Sequence, residues 1–180
     1  MHIPQDIREG ATVATQVCMN IQAVDRVYIM ADEGTWRIGK ALEEEALVTG
    51  ASVKLIKLED FGTRPFSGMP EGFMEAIFDF NPTVTIYAAG SQKGELTFRM
   101  GFTGQMVKKE IKFRHGHMVG ITEELMRVGM RADYQQIHDL TMRVLEIVKP
   151  AQTITFTSKK GSDITARFAP DLKWVPCHGL

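Results

Sequence analysis

Short apolar runs that alternate with segments of helical periodicity constrain this chain more than any other feature. Residues 27–30 are apolar at four consecutive positions, which indicates a strand buried on both faces. Further strands are predicted at 52–60, 83–90 and 115–121, with a helical pattern after each. Strands that alternate with helices predict an α/β fold, with a mainly parallel open sheet and helices on both faces. A flavodoxin-like strand order is expected from this class alone.

Both ends of the chain depart from this alternation. Residues 6–23 carry helical periodicity and predict an N-terminal helix, interrupted at Gly10. The clearest helix is predicted at 133–151, and the pattern at 152–170 predicts a β-hairpin around a Lys-Lys-Gly turn. The helix at 133–151 has an apolar stripe formed by Ile137, Leu140, Val144, Leu145 and Val148. The predicted domains are a helical arm at 1–24, an α/β domain at 25–151, and a hairpin that begins a further domain at 152–180.

Several helix ends are marked by residues suited to them. Thr35 is expected to cap the helix at 35–51, and Gly50 to end it. Thr122 and Asp133 are expected to cap the helices that follow them. The remaining helices are predicted at 71–80 and 91–110.

Charge and cysteine content exclude several classes of protein. The formal net charge is −1, with 21 Lys and Arg against 22 Asp and Glu, so no nucleic-acid partner is expected. No apolar run approaches the ~18 residues of a membrane span, so no membrane partner is expected. Cys18 and Cys177 have no nearby cysteine and are interpreted as free thiols in a reducing compartment. These features predict a cytoplasmic protein.

The common nucleotide and hydrolase motifs are absent from the sequence. No G-x-G-x-x-G follows the first predicted strand, and there is no G-x-x-x-x-G-K-[ST] phosphate loop. No G-x-S-x-G nucleophile elbow is present either. A nucleotide-binding Rossmann protein and an α/β-hydrolase therefore have no motif support.

His115 and His117 form an H-x-H pattern at the start of a predicted strand, where alternate side chains point the same way. A catalytic zinc site needs three protein ligands, and this pair supplies two. Asp32 and Glu33 follow the first strand, at the edge where open α/β sheets place ligands. Because the histidines begin their strand, we expect them toward the opposite edge. The pair is therefore interpreted as one histidine at the strand mouth and one partly buried.

Three residues are candidates for a substrate entrance at the carboxyl edge: Asp32, Glu33 and Ser91. Acids and hydroxyls at the start of a helix also serve to cap it and to favour its dipole. Both interpretations stay open, with the structural one preferred. The residues by themselves indicate an α/β domain without a complete catalytic set.

Five features in a fixed order resemble one family. They are DRVYIMADE, ALEEEALVTGASVKLIKLED, the RP…P loop at 64–70, GITEELMRVGMRADY and TSKKGSDITARF, the last followed by a tryptophan. Their order and spacing resemble the N-terminal domain of the leucyl aminopeptidase (aminopeptidase T) family of metallopeptidases. The resemblance covers nearly the whole chain.

The resemblance implies a two-domain, homodimeric peptidase that acts on peptide substrates. Its metal site would lie in a C-terminal domain, where glutamates, histidines and an aspartate bridge two divalent ions such as zinc, cobalt or manganese. Such a site activates water and polarises the scissile carbonyl. The family's first acidic ligand is expected in a segment resembling N-L-P-x-G-E, and only VPCHGL follows Trp174. No metal ligand or catalytic residue is carried over, and the chain is expected to stop before the metal-binding domain.

Two alternatives accompany this interpretation. The same superfamily includes 2,5-dihydroxypyridine ring-cleaving dioxygenases, which resemble these peptidases and use one non-haem iron in the C-terminal domain. In that branch His115 or His117 is a candidate acid or base outside the iron ligands. A third hypothesis is a non-catalytic α/β module for binding or assembly.

Overall fold

The computed structural model describes residues 1–177 and residue 179. The chain forms two compact units, Met1–Ala132 and Asp133–Leu180. The boundary between the units lies before the helix predicted at 133–151, whereas the sequence prediction placed that helix in the α/β domain at 25–151. The domain boundaries predicted from the sequence stay a prediction.

The first unit is built on a four-stranded parallel sheet with the order β2-β1-β3-β4. Its strands are β1 (Arg26–Ala31), β2 (Ser52–Lys57), β3 (Val84–Ala88) and β4 (Arg114–His117). The two central strands are almost wholly buried, which is the reason for their continuous apolar runs. The prediction of a mainly parallel α/β sheet is confirmed, and the strand order is the expected flavodoxin-like one.

Helices cover both faces of this sheet. They are α1 (Gln5–Thr12), α2 (Trp36–Val48), α3 (Phe73–Phe80), α4 (Leu96–Lys108) and α5 (Glu123–Arg127). One core includes Ile7 of α1 and Leu42 of α2, packed on one face of the sheet. The other is aromatic and includes Phe73 of α3 with Phe98 and Phe102 of α4.

The N-terminal helix is not interrupted at Gly10, and that prediction is wrong. Helix α1 runs to Thr12 and continues as a π-helix over Val13–Cys18. A Cβ atom at Gly10 would lie 2.4 Å from the carbonyl oxygen of Met126 in α5. Gly10 therefore allows two helices to approach closely, and this role has no local sequence signal.

Helix α2 ends as predicted but begins differently. Gly50 has φ +85° and its N–H donates to the carbonyl of Leu47, so it ends the helix as expected. Thr35 occupies the N-cap position, but its side chain makes no capping bond. Its hydroxyl donates instead to the carbonyl of Ala88 at 2.6 Å. The prediction that the Thr35 side chain caps α2 is therefore wrong, because its hydroxyl binds a carbonyl on β3 instead.

The two other predicted caps are confirmed. The hydroxyl of Thr122 accepts the backbone N–H of Leu125 at the start of α5. The carboxylate of Asp133 accepts the N–H of Gln136 at the start of α6 (Tyr134–Val148). Both are contacts between residues three apart, and sequence spacing is sufficient to predict them.

The second unit consists of α6 and the predicted β-hairpin of β5 (Thr153–Thr157) and β6 (Asp163–Arg167). None of its described residues is buried. The pairing of the hairpin places its apolar side chains on one face, with Thr and charged residues on the other. That apolar face consists of Ile154, Phe156, Ile164 and Ala166. Within the described residues, no helix has the length and apolar character needed to cross a membrane.

Candidate functional site

Strands β1 and β3 are neighbours whose following helices lie on opposite faces of the sheet. Open α/β sheets form a ligand crevice at such a point, outside the carboxyl ends of the strands. Asp32 directly follows β1 and is buried, whereas Glu33 and Ser91 are exposed. Two of the three predicted entrance residues are thus open to solvent, and the third is enclosed.

Arg64, from the loop after β2, enters this edge of the sheet and pairs with two carboxylates. Its Nη1 contacts Oδ2 of Asp32, while its Nη2 lies 2.6 Å and its Nε 2.8 Å from the two oxygens of Glu95. The side chains are 4% exposed for Arg64, 7% for Asp32 and 1% for Glu95. Arg64 also donates to the carbonyl of Gly90 at 2.9 Å. The guanidinium therefore binds β1, β3 and α4 together.

The carboxylate of Asp32 accepts bonds from the backbone as well. Its Oδ1 accepts the N–H of Thr35 at 2.8 Å, and its Oδ2 accepts the N–H of Gly90 at 2.7 Å. Together with Arg64, these donors use both oxygens. Asp32 is thus arranged as a structural anchor rather than as an open ligand for a metal or substrate.

The charges of this cluster stabilise one another. Burial would raise the pKa of Asp32, but hydrogen bonds from Thr35, Gly90 and Arg64 outweigh it and lower the pKa. Burial would likewise raise the pKa of Glu95, but Arg64 and the backbone N–H of Phe66 lower it. Burial opposes the charge of Arg64, yet Glu95 and Asp32 raise its pKa. All three groups are therefore ionised at neutral pH.

His115 and His117 project from one face of β4, as alternate strand positions predict. Nε2 of His115 lies 3.1 Å from Nδ1 of His117, and Nδ1 of His115 lies 2.8 Å from Oγ1 of Thr85. The His117 ring stacks on Tyr87 with centroids 5.9 Å apart, and the His115 ring meets the edge of Phe102 at 5.3 Å. The result is a continuous chain of polar contacts from buried Thr85 to exposed His117.

Both imidazoles are neutral near pH 7. Burial and the neighbouring His117 lower the pKa of His115 to about 4. Burial and the charge of Arg99 lower the pKa of His117. A neutral imidazole can donate a hydrogen bond from one nitrogen and accept one at the other. The two rings can therefore form consecutive hydrogen bonds from Thr85 through His115 to His117.

Tyr87 connects the two clusters. Its ring stacks on His117, and its hydroxyl accepts a hydrogen bond from Nη2 of Arg64 at 3.3 Å. Burial raises the pKa of this phenol, so it stays protonated. The prediction that both histidines lie toward the edge opposite Asp32 is wrong for His117. Strand β4 begins at Arg114 and ends at His117, which pairs with Tyr87 one residue before the end of β3, so His117 lies near the carboxyl edge of the sheet.

Arg64, Tyr87, Glu95 and Arg99 were missed by sequence reasoning. Arg64 precedes a proline in a loop, Tyr87 belongs to an apolar strand, and Glu95 and Arg99 lie in a predicted helix. Each has an ordinary local context. The sequence around these residues carries no local signal of a role. Their roles are visible only in the folded chain, for example in the contact between Arg64 and Glu95.

A metal centre needs at least three protein ligands held together. Among residues 1–177 and 179, no group of three or more His, Cys, Asp or Glu side chains could hold a metal ion. His115 and His117 are directed at each other and at Thr85, with no third ligand in the described part of the chain. The described residues thus do not fit the two-ion centre, or the single-iron centre, that the resemblance implies.

Comparison with known proteins gives the fold. No family model and no curated protein sequence matches this chain. The fold is similar to that of 2,5-dihydroxypyridine dioxygenase from Pseudomonas putida, with TM-score 0.55 and 12% identity over 90% of this chain and 47% of that one. It is also similar to AmpT from Thermus thermophilus, with TM-score 0.55 and 14% identity over 92% of this chain and 54% of that one.

This chain spans about half the length of both structures. They correspond to the two branches of the superfamily that the sequence motifs resemble, aminopeptidase T and 2,5-dihydroxypyridine dioxygenase. At 12% and 14% identity the similarity shows the fold alone, so this chain is assigned to the class of α/β proteins that share this architecture.

Proposed function

We propose that this chain supplies the N-terminal α/β domain of a metal-dependent aminopeptidase that removes N-terminal residues from peptides. The divalent ions, zinc, cobalt or manganese, would be held by a second domain that the Asp133–Leu180 unit begins. The ordered sequence motifs and the fold shared with AmpT support this proposal. The described residues do not fit a metal centre, so no catalytic step is assigned to them.

The observation that carries the proposal is the uncovered second unit. Helix α6 is strongly amphipathic, yet Leu140 is 57% and Ile147 75% exposed. The hairpin leaves Phe156 and Ile164 exposed on its apolar face. A two-stranded hairpin and a single helix are marginal in water without a partner that covers such faces. A metal-binding domain packed on them would bury these faces.

The first unit has the properties of a support rather than of a catalyst. Arg64 closes the carboxyl edge by pairing with Asp32 and Glu95, so the usual ligand crevice contains protein side chains. Glu33 and Ser91 are exposed at the same edge. We propose these two residues as the part of this chain that borders the peptide entrance.

Metal content combined with hydrolysis tests the proposal on the chain itself. The purified chain would be exposed to zinc, cobalt, manganese or iron(II), freed of excess metal, and assayed by elemental analysis and with leucyl-p-nitroanilide. We expect neither stoichiometric metal nor turnover. Stoichiometric metal with turnover, both lost in a His115→Ala/His117→Ala variant but retained in His2→Ala, would overturn the assignment of the chemistry to another domain.

Expressing a protein extended past Leu180 tests the other part of the proposal, that a second domain holds the metal ions and performs the hydrolysis. We expect the extended protein to bind two divalent ions through glutamate-rich ligands and to hydrolyse leucyl-p-nitroanilide. In the extended protein, residues of α6 and the hairpin should become protected from amide hydrogen exchange. A stop codon directly after Leu180, or an extended protein without peptidase activity, would overturn the proposal.

The second candidate is the N-terminal part of a non-haem iron ring-cleaving dioxygenase. The observation that favours it is the exposed, neutral His117, whose imidazole is available as a proton acceptor beside a domain that holds iron. Two histidines, one aspartate and one iron in the extended protein would favour this branch. A dioxygenase would consume 2,5-dihydroxypyridine under oxygen, seen as a loss of its absorbance, only when iron is present. A peptidase would show no such loss.

A second copy of this chain is the competing partner for the uncovered faces of α6 and the hairpin. The homodimer that we propose for the full-length protein would form through other surfaces, so only dimerisation through these faces argues against a second domain that covers them. Sedimentation equilibrium of the chain, alongside a Leu140→Asp/Val144→Asp variant, distinguishes the cases. If the parent chain and the variant are both monomers, the result fits a domain whose exposed faces are covered by a later part of the same polypeptide. A dimer abolished by the double substitution would instead favour a self-assembling module over the domain interpretation.

A further inference from the structure

The loop between β2 and α3 forms a cavity of about 350 Å³, lined by residues of the segment 61–70, and we call it the loop cavity. Its lining combines aromatic rings, a thioether and two hydroxyl groups, which belong to Phe61, Phe66, Met69, Thr63 and Ser67. Small-ligand pockets in proteins have volumes of roughly 300–1,000 Å³. The loop cavity is therefore large enough for a small ligand or for part of a longer one.

Contacts of Arg64 place this loop at the carboxyl edge of the sheet. Its guanidinium pairs with Asp32, directly after β1, and donates to the carbonyl of Gly90, just after β3, at 2.9 Å. The backbone N–H of Phe66 donates to Glu95 at 3.1 Å, so the loop is held at a second point. Open α/β sheets bind ligands outside the carboxyl ends of their strands. The loop cavity therefore lies beside the expected crevice, within the first unit.

The loop cavity has no charged side chain in its lining, as far as the described residues are concerned. Arg64 is the one charged residue between positions 61 and 70. Its guanidinium is buried between Asp32 and Glu95 and does not line the cavity. A charged group that leaves water there would find no counter-charge, which is costly. The loop cavity thus favours an uncharged ligand.

Polar groups of the loop have hydrogen-bonding capacity that the protein does not use. Between positions 63 and 69, the N–H of Phe66 is the one backbone N–H that bonds to another described residue. The hydroxyls of Thr63 and Ser67 likewise have no partner in the described part of the chain. A ligand can replace the water that binds such exposed groups. Hydroxyls, N–H groups and carbonyls together match the donor and acceptor of a peptide group.

We infer that the loop cavity binds an uncharged stretch of a peptide, with one apolar side chain against Phe61, Phe66 and Met69. The unpaired N–H and hydroxyl groups of the loop would bind the carbonyls of that peptide. This inference rests on the proposed function and deepens it, because it names the substrate class. The class consists of peptides that place an uncharged, apolar residue in the loop cavity.

NMR titration of the whole ¹⁵N-labelled chain tests the inference, with acetyl-Ala-Leu-Ala-amide as the probe. We expect saturable shifts of the amide signals of Gly62, Ser67, Gly68 and Met69. The charged peptides acetyl-Ala-Glu-Ala-amide and acetyl-Ala-Lys-Ala-amide should bind at least about threefold more weakly, because the lining has no counter-charge. Equal affinity for the three peptides would overturn the inference, as would the absence of a saturable shift at these four signals.

The decisive variant is Gly68→Phe, which fills the loop cavity. A Cβ atom at Gly68 would meet no other atom within 4 Å, so a side chain can enter the open space without a clash. Gly129→Phe is the matched control, since a Cβ atom there also meets nothing within 4 Å and Gly129 does not line the cavity. We expect binding to weaken at least about tenfold in Gly68→Phe and to stay unchanged in Gly129→Phe. Equal binding by both variants would overturn the inference.

A second variant separates binding from folding. Gly68→Phe should unfold in urea at the same concentration as the parent chain. If its midpoint is lower, Thr63→Ala/Ser67→Ala decides, because it removes two exposed hydroxyls and adds no bulk. That double variant should bind the neutral peptide at least about threefold more weakly, and unchanged binding would overturn the inference.

Failure of this inference is distinguishable from failure of the proposed function. Peptide binding by the chain needs neither metal nor turnover. An extended protein that hydrolyses peptides, together with a chain that does not bind the neutral peptide, would overturn the inference alone. An extended protein without peptidase activity would overturn the proposed function, whatever the chain binds.

Discussion

Helices α2 and α6 have similar lengths and comparable apolar stripes, but their surroundings differ. Helix α2 buries Ile38, Leu42 and Ala46 in the core of the first unit. Helix α6 buries none of its residues, although it is the more amphipathic of the two. The pattern of a helix specifies which face needs cover, and tertiary structure supplies the cover. The second unit is therefore a set of correctly formed elements without a core.

The two units also differ in how they use charge. The first unit encloses Arg64 between Asp32 and Glu95, where removing one partner leaves an uncompensated buried charge. The second unit has exposed local hydrogen bonds, such as the one that the neutral amide of Gln135 donates to Asp139 four residues later. Contacts of the first kind hold distant segments together, whereas contacts of the second kind stabilise only their own helix.

The largest expected effect is at Arg64. Arg64→Met should lower the free energy of unfolding by about 3–5 kcal/mol, because Asp32 and Glu95 lose their shared cation in a buried site. Arg37→Met, which removes an exposed pair with Glu123, should cost about 0–1 kcal/mol. Urea unfolding followed by circular dichroism measures both. Equal losses would mean that the buried cluster is not the anchor of the first unit.

Matched leucines test the contrast between the helices directly. Leu42→Ala in α2 should cost about 2–5 kcal/mol, since its side chain is fully buried. Leu140→Ala in α6 should change the free energy of unfolding by less than about 0.5 kcal/mol, because that side chain is largely exposed. Urea unfolding curves of the two variants give both values. A large loss at Leu140 would show that α6 is already covered in solution.

The histidine pair predicts a pH dependence confined to the first unit. His115 has a folded pKa of about 4, below the ~6.5 of an unfolded histidine. From pH 6.5 downward the unfolded chain therefore binds a proton that the folded chain does not, so stability falls until about pH 4. The loss between pH 6.5 and 5 should be on the order of 1 kcal/mol.

His115→Gln should reduce the slope of that part of the profile while keeping a side chain that can hydrogen-bond to Thr85. The lowered folded pKa of His117 accounts for the slope that remains. Asp32 and Glu95, whose folded pKa values are lowered, contribute stability that is lost only below the ~4 of unfolded carboxyls. Their effect thus lies outside the pH 6.5 to 5 window. An unchanged slope in His115→Gln, measured by urea unfolding at closely spaced pH values, would contradict the assignment.

The smallest effects compare two identical kinds of cap. Thr122→Ala should lower the free energy of unfolding of the first unit by about 1 kcal/mol, because the N–H of Leu125 loses its acceptor. Asp133→Ala should reduce the helical signal of α6 without moving the main unfolding transition, since α6 adds no buried side chains. A shift of that transition in Asp133→Ala would show that the two units unfold together.

The sequence by itself determined the features that depend on neighbouring residues. Continuous apolar runs specified the buried strands β1 and β3, alternation and a glycine turn specified the hairpin, and spacing of three residues specified the caps at Thr122 and Asp133. The expectation that Asp32, Glu33 and Ser91 lie at the carboxyl edge also followed from strand direction. These are consequences of backbone geometry within a few residues.

Tertiary structure alone decided which of those features meet. The pairing of Arg64 with Asp32 and Glu95 joins residues about 30 positions apart, and Gly10 matters only because Met126 lies against it. Likewise, the stripes of α2 and α6 look alike in sequence, and only the fold buries one of them. Local spacing restricts a residue's own conformation, whereas its partners depend on chain closure over long distances, which short-range periodicity does not encode.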